Sequence, residues 1–134
     1  MLDRVSIPVA DLDRAARFYD AVLATIGLRR RKEPTGAIGY GPETRAAPVF
    51  WLLGRRGDGG ARPGLGLHVS FVAPDRPSVE AFHATALRCG GLDAGAPGLR
   101  PQYTMPFYGA FVLDLDGFKI EAVCRAALEP TAAA

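Results

Sequence analysis

Near its C-terminal end the chain reads "DLDGFKIEAVCRA", and the residue there that can do chemistry is Glu121. A carboxylate between Ile120 and Ala122, in a strand-like apolar run, is expensive to bury without a partner. Either Glu121 is an ordinary exposed strand residue, or it turns inward toward a group that pairs with it. Strand alternation puts Lys119, Glu121 and Val123 on one face. Phe118, Ile120 and Ala122 take the other, a set suited to packing against a helix. Further candidates are sparse. Cys89 and Cys124 are isolated, belong to no C-x-x-C motif and read as reduced, buried thiols. No Ser-His-Asp or Cys-His arrangement can be assembled, which argues against nucleophilic catalysis. The segment "GRRGDGGARPG" (Gly54 to Gly64) lacks the Lys-Ser/Thr that a phosphate-cradling loop requires.

Composition narrows the partners. The chain has 134 residues, 49% hydrophobic and 22% charged, an ordinary globular balance for one domain or two half-domains sharing a core. A net charge of +2 falls well short of the basic excess of a nucleic-acid binder. Arg29-Arg30-Arg31-Lys32 is the densest basic run, without interleaved aromatic residues, and reads as a solvated edge strand. No apolar run approaches the ~20 residues that span a bilayer. Met1-Leu2-Asp3-Arg4 has no signal-peptide character, so a cytoplasmic location is expected.

An internal repeat supplies the elements that must position Glu121. "VSIPVADLDRAARFYDAVLATIGL" (Val5 to Leu28) aligns without a gap over "VSFVAPDRPSVEAFHATALRCGGL" (Val69 to Leu92). Each copy opens with a buried strand and continues into a helix. Asp11 caps the first helix, whose apolar stripe runs through Leu12, Ala15, Tyr19, Val22, Leu23 and Ile26 and which Gly27 ends. Asp75 caps the second, Pro77 is tolerated in its first turn, and Gly90-Gly91 stops it. His83 falls on this helix opposite Tyr19 of the repeat and reads as structural. Three shorter strands follow each helix. In the first copy they are expected near Leu28–Lys32, Ala37–Tyr40 and Pro48–Leu53. In the second the first is obscure, somewhere before Tyr103, and the others are Ala110–Leu115 and Phe118–Cys124, joined through the hairpin signal Asp116-Gly117. The fold class is therefore α+β: two tandem βαβββ modules, 1–53 and 65–124, with a linker 54–64 and a tail 125–134.

This ordered set is similar to the vicinal oxygen chelate superfamily, the glyoxalase, bleomycin-resistance and extradiol-dioxygenase group. The opening "V-x-D-L-x-R-A-x-x-F-Y-x-x-V-L" and the closing "Y-G-A-F-V-x-D-x-D-G-x-K-I-E-A-V" carry the resemblance, from Leu2 to about Val123. It implies a cupped, mixed β-sheet with helices on the outer face. A divalent metal would sit in the cup, held from the first and last strands of each module. It also implies a homodimer.

Carried over residue by residue, the resemblance assigns His68 and Glu121 as metal ligands, a pair that suits Zn, Ni, Mn or Fe. Their repeat partners are Arg4 and Trp51. A guanidinium has no lone pair to give a cation, and an indole serves no better. The expected metal site is therefore partial: no cofactor, or a weakly bound divalent ion. Arg4 is expected to stand in for the missing charge and to pair with Glu121 across the cup. Trp51 is expected to line the pocket, and "RPQYTMPFYG" (Arg100 to Gly109) to bring Tyr103 and Tyr108 to its rim. Two functions follow. One is a small-molecule binding protein with an incomplete metal site. The other is a metal-dependent lyase, isomerase or dioxygenase using His68 and Glu121, with Glu121 as catalytic base.

Overall fold

The computed structural model describes residues 1–54, 68–102 and 106–126. Tyr103, the tail beyond residue 126 and nearly all of the linker therefore lie outside the described residues. The strands form two four-stranded sheets. The first contains β1 (Val5–Val9), β2 (Arg29–Lys32), β3 (Ala37–Gly41) and β4 (Phe50–Gly54), in the order β1-β4-β3-β2. The second contains β5 (His68–Val72), β6 (Leu92–Leu99), β7 (Tyr108–Leu113) and β8 (Lys119–Cys124), in the order β5-β8-β7-β6. Each sheet is mixed, with one parallel pair (β1–β4 and β5–β8) and two antiparallel pairs. The fold is the expected pair of βαβββ modules.

The helices α1 (Leu12–Ala24) and α2 (Arg76–Arg88) are each 13 residues long and occupy matching positions in the ungapped repeat. Both start as expected. The Asp11 carboxylate accepts from the Arg14 N–H at 3.0 Å, and that of Asp75 from the Ser78 N–H at 2.8 Å. Gly27 (φ 85°) and Gly90 (φ 101°) take the left-handed turns that close them. The basic run Arg29–Lys32 is the exposed edge strand β2.

Sheet register gives the repeat an independent physical form. Ser6 pairs with Trp51 across β1–β4, and Ser70 pairs with Glu121 across β5–β8. Ser6 and Ser70 are repeat partners, so Trp51 and Glu121 occupy the same place in their modules.

One hydrophobic core joins the two modules. Phe18, Tyr19, Tyr40 and Phe50 pack within the first module, and the Phe50 ring meets Phe71 of the second edge-on at 5.1 Å. Ile7, Val9 and Leu52 from the first sheet, and Ala110, Val112, Ile120 and Ala122 from the second, face this core. Alternation then sends Ser6 and Trp51, and in the second sheet His68, Phe111 and Glu121, to the faces turned away from the helices.

Candidate functional site

The side chain on which the site turns is Glu121. β8 continues an almost fully buried strand, and Ile120 and Ala122 anchor it in the core. That anchoring fixes the direction of Glu121, since a slip of one residue would put the carboxylate among the aromatic rings. Glu121 is only 3% exposed. Its Oε1 stands 3.2 Å from Nε2 of His68, which is 41% exposed in its side chain. Its Oε2 is buried and has no hydrogen-bond partner among the described residues. Buried oxygens of ionised carboxylates are seldom left so, because each costs its full desolvation.

Around this pair stands an aromatic wall. Phe111 is the register neighbour of Glu121 on β7, and its ring meets the His68 imidazole at 6.2 Å in an edge arrangement. Phe107, Phe111 and Val123 form a small apolar cluster on this face, separate from the main core. Three cations border it. Lys119 Nζ lies 4.8 Å from the Phe111 ring centroid and the Arg100 guanidinium 5.6 Å, while Arg125 lies 5.1 Å from the centroid of Phe107.

His68 and Glu121 are thus brought together as the sequence led one to expect. The partner expected for Glu121 is not Arg4. Arg4 precedes β1, is 62% exposed in its side chain and donates to Asp3 at 3.0 Å. Asp3 is also paired with Arg45, so one exposed carboxylate serves both arginines. Arg4 and Ser70 nevertheless line one cavity of about 200 Å³ at the seam of the modules, and Ser70 is the register neighbour of Glu121.

Trp51 is half-buried, and its indole lies against Gly39. A Cβ added there would come 2.9 Å from Trp51 Cε2 and 2.7 Å from Pro48 Cγ. The absence of a side chain at position 39 is therefore what seats the ring.

Tyr108 requires a correction. It is the first residue of β7 and shares the helix-side face with Ala110 and Val112. Its hydroxyl donates to Glu80 Oε2 of α2 at 2.9 Å, and Arg76 lies over its ring. It does not share a face with Glu121. Phe111 and Arg100 are the residues that sequence reasoning missed. Phe111 was legible: it is the bulky member of "YGAFV" at the odd-numbered alternation. Arg100 opens the stretch expected at the rim but was not singled out within it, because it reaches the wall only by the path of β6. His83 is structural, packed in the core and bonded through Nε2 to Asp93 at 2.8 Å.

For a metal, the donor set is short. Among the described residues no group of three or more His, Cys, Asp and Glu side chains converges on one point. His68 and Glu121 offer two donors, and their repeat partners Arg4 and Trp51 offer none. A complete ligand set does not fit within these residues. No helix of the described residues is long and apolar enough to cross a membrane.

A family model for the glyoxalase/bleomycin resistance protein/dioxygenase superfamily matches residues 1–122. A crystal structure of a glyoxalase/bleomycin resistance protein from Albidiferax ferrireducens T118 is 30% identical. The match covers 92% of this chain and 98% of that one, with a TM-score of 0.82. Glyoxalase I from Zea mays is 26% identical with a TM-score of 0.64, the match covering 92% of this chain and 46% of the maize chain. A family enzyme from Burkholderia phytofirmans PsJN, 14% identical over 93% of this chain and 98% of its own, shares the fold with a TM-score of 0.67. Among curated proteins none matches the chain. The repeat, the register and these likenesses agree: the chain belongs to the glyoxalase/bleomycin resistance protein/dioxygenase superfamily.

Proposed function

We propose that the chain binds a small organic molecule on the helix-distal face of its second sheet, with Glu121 and His68 at the centre of the site. One observation carries this reading: a buried carboxylate directed onto that face, held by an imidazole at one oxygen and, among the described residues, bare at the other. A group placed at Oε2 would satisfy the carboxylate, and a ligand hydroxyl or acidic C–H there would have a proton acceptor. Phe111 and Phe107 supply the apolar surface that small-molecule sites need. Trp51 and Arg4 belong to the same proposal as the wall and edge contributed by the first module. The working form is a cytoplasmic homodimer with a symmetric interface, as in most homo-oligomers.

The bare oxygen also favours a second reading, in which a divalent ion binds His68 and Glu121 and completes its shell elsewhere. Two protein donors make such binding weak. Calorimetric titration of wild type and Glu121→Gln with zinc separates the two. The binder reading expects weak zinc binding that Glu121→Gln abolishes. Tight, stoichiometric zinc in the wild type would replace it with a metal-dependent lyase, isomerase or dioxygenase.

A further inference from the structure

We propose that the cavity at the seam of the modules binds a small organic carboxylate, which takes the place of Asp3 between Arg4 and Arg45. The proposal goes beyond the reading of Glu121 and His68 and does not depend on it.

Asp3 demonstrates that these two guanidinium groups reach one carboxylate. Arg4 donates from Nη1 to Asp3 Oδ2 at 3.0 Å, and Arg45 donates from Nη2 to Oδ1. Arg45 comes from the connection between β3 and β4, 42 residues along the chain, so the grouping is made by the fold and not by sequence neighbours alone. The other ion-paired arginines of the first module are matched or outnumbered by acids. Arg30 meets Asp20 and Glu33, and Arg29 meets Glu43. Here two cations face one carboxylate, so the group keeps a unit of positive charge.

Asp3, Arg4 and Arg45 all line the seam cavity of about 200 Å³. Its apolar lining comes from both modules, Val5 and Phe50 on one side, Val69 and Phe71 on the other. Ser70 adds a hydroxyl that makes no side-chain hydrogen bond to the described residues. Leu2 lines the same cavity, so the chain itself brings an apolar side chain and a carboxylate to this place together. A free ligand with those two parts has the chemistry to replace them. Its carboxylate accepts from both guanidinium groups, and its body covers the apolar lining. Asp3 precedes β1 and is 62% exposed in its side chain, so its release into water costs little. While it is in place it competes, and the apparent affinity falls by the fraction of molecules whose arginines are occupied.

Isovalerate, whose body matches the Leu2 side chain, and its neutral amide isovaleramide test this by calorimetric titration into the full chain. Wild type should prefer the acid about threefold, less as salt is added. Asp3→Asn removes the internal competitor. It should tighten binding of isovalerate about threefold to fivefold and leave isovaleramide unchanged, which widens the preference to about tenfold. In that background Arg4→Gln and Arg45→Gln should each reduce the preference, and together they should abolish it. Arg45→Lys should retain more of it than Arg45→Gln, and Arg31→Gln on β2 should leave it unchanged. The three exchanged side chains of the site are at least 36% exposed, so the variants should keep the fold. Should Arg4→Gln fail to fold, Arg45→Gln with Asp3→Asn carries the test. Unchanged or weaker binding of isovalerate by Asp3→Asn, equal binding of acid and amide, no binding of either, or a preference that survives loss of both arginines would each overturn the proposal. Tighter binding of inorganic phosphate than of isovalerate would overturn the organic class, since phosphate has no apolar body for the cavity.

Discussion

Tyr19 of the first module donates its phenol proton to the buried carboxylate of Asp114 in the second, at 2.5 Å. Asp114 also accepts from the backbone N–H groups of Phe118 (2.8 Å) and Asp116 (2.9 Å), so it ties the β7–β8 turn and clasps the modules together. Burial pushes the Asp114 carboxyl above its ordinary range, and the hydrogen bond from Tyr19 is the largest influence opposing it. Tyr19→Phe should cost about 1.5–3 kcal/mol in chemical denaturation, as for a hydrogen bond to a charged group.

The pH dependence of that loss has a defined sign. A carboxyl whose folded pKa is raised contributes most below its unfolded value of ~3.9, and the contribution is lost as pH rises through the folded value. Removing the Tyr19 donor raises the folded value further. The loss in Tyr19→Phe should therefore be larger near pH ~7 than near pH ~4. An equal loss at both would mean that the phenol acts by packing alone.

Gly39→Ala should damage the wall of the first module. Its Cβ would overlap Pro48 and the Trp51 indole, both rigid rings, at 2.7–2.9 Å. Overpacking of that kind costs roughly 1–3 kcal/mol. The chain has one Trp, so the displacement is readable as a change in intrinsic fluorescence. Unchanged emission and stability would show that Trp51 is not seated by Gly39.

How far the sequence could be read depended on how local each signal was. Both helix starts were legible to the residue because Asp11 and Asp75 cap them, while the ends, expected at Gly27 and Gly90, fall slightly earlier, at Ala24 and Arg88. The direction of Glu121 followed from alternation once Ile120 and Ala122 were assigned to the core. β6 was not legible. "LDAGAPGL" has no alternation, and its register with β7 slips on both sides of Gly95. Tyr108 was misplaced because β7 begins at that residue, where a rim loop was expected. The partner of Arg4 was misjudged because the repeat fixes its place along the strand, while Asp3 and Arg45 decide where its charge goes.

Arg4→Ala accordingly has a small expected effect. The Arg4–Asp3 pair is 62% exposed on both sides, and Asp3 keeps Arg45. Exposed pairs contribute ~0–1 kcal/mol, against the ~3–5 kcal/mol of removing one partner from a buried pair. Thermal and urea denaturation should place Arg4→Ala in the lower range. A loss in the upper range would mean that Arg4 compensates Glu121 in the working protein.

Glu121→Met tests whether the buried carboxylate is kept for function. Glu121 lies beside Phe111 and Val123, has one oxygen unsatisfied among the described residues and is held at the other by a half-exposed imidazole. Such a group costs the fold desolvation that its contacts do not return in full. Methionine has a similar volume and no polar atoms, and it adapts readily to an aromatic wall. Replacing buried charge by well-packed apolar groups is often neutral or stabilising by ~1–4 kcal/mol. Glu121→Met should therefore raise the urea midpoint at unchanged m-value, equivalent to about 1–3 kcal/mol, while abolishing the response of His68 to zinc. Gain of stability with loss of binding is the pattern of a residue retained for its chemistry. A loss of stability of similar size would show that Glu121 is satisfied in the working protein by a partner group, and that its role is to hold the fold together.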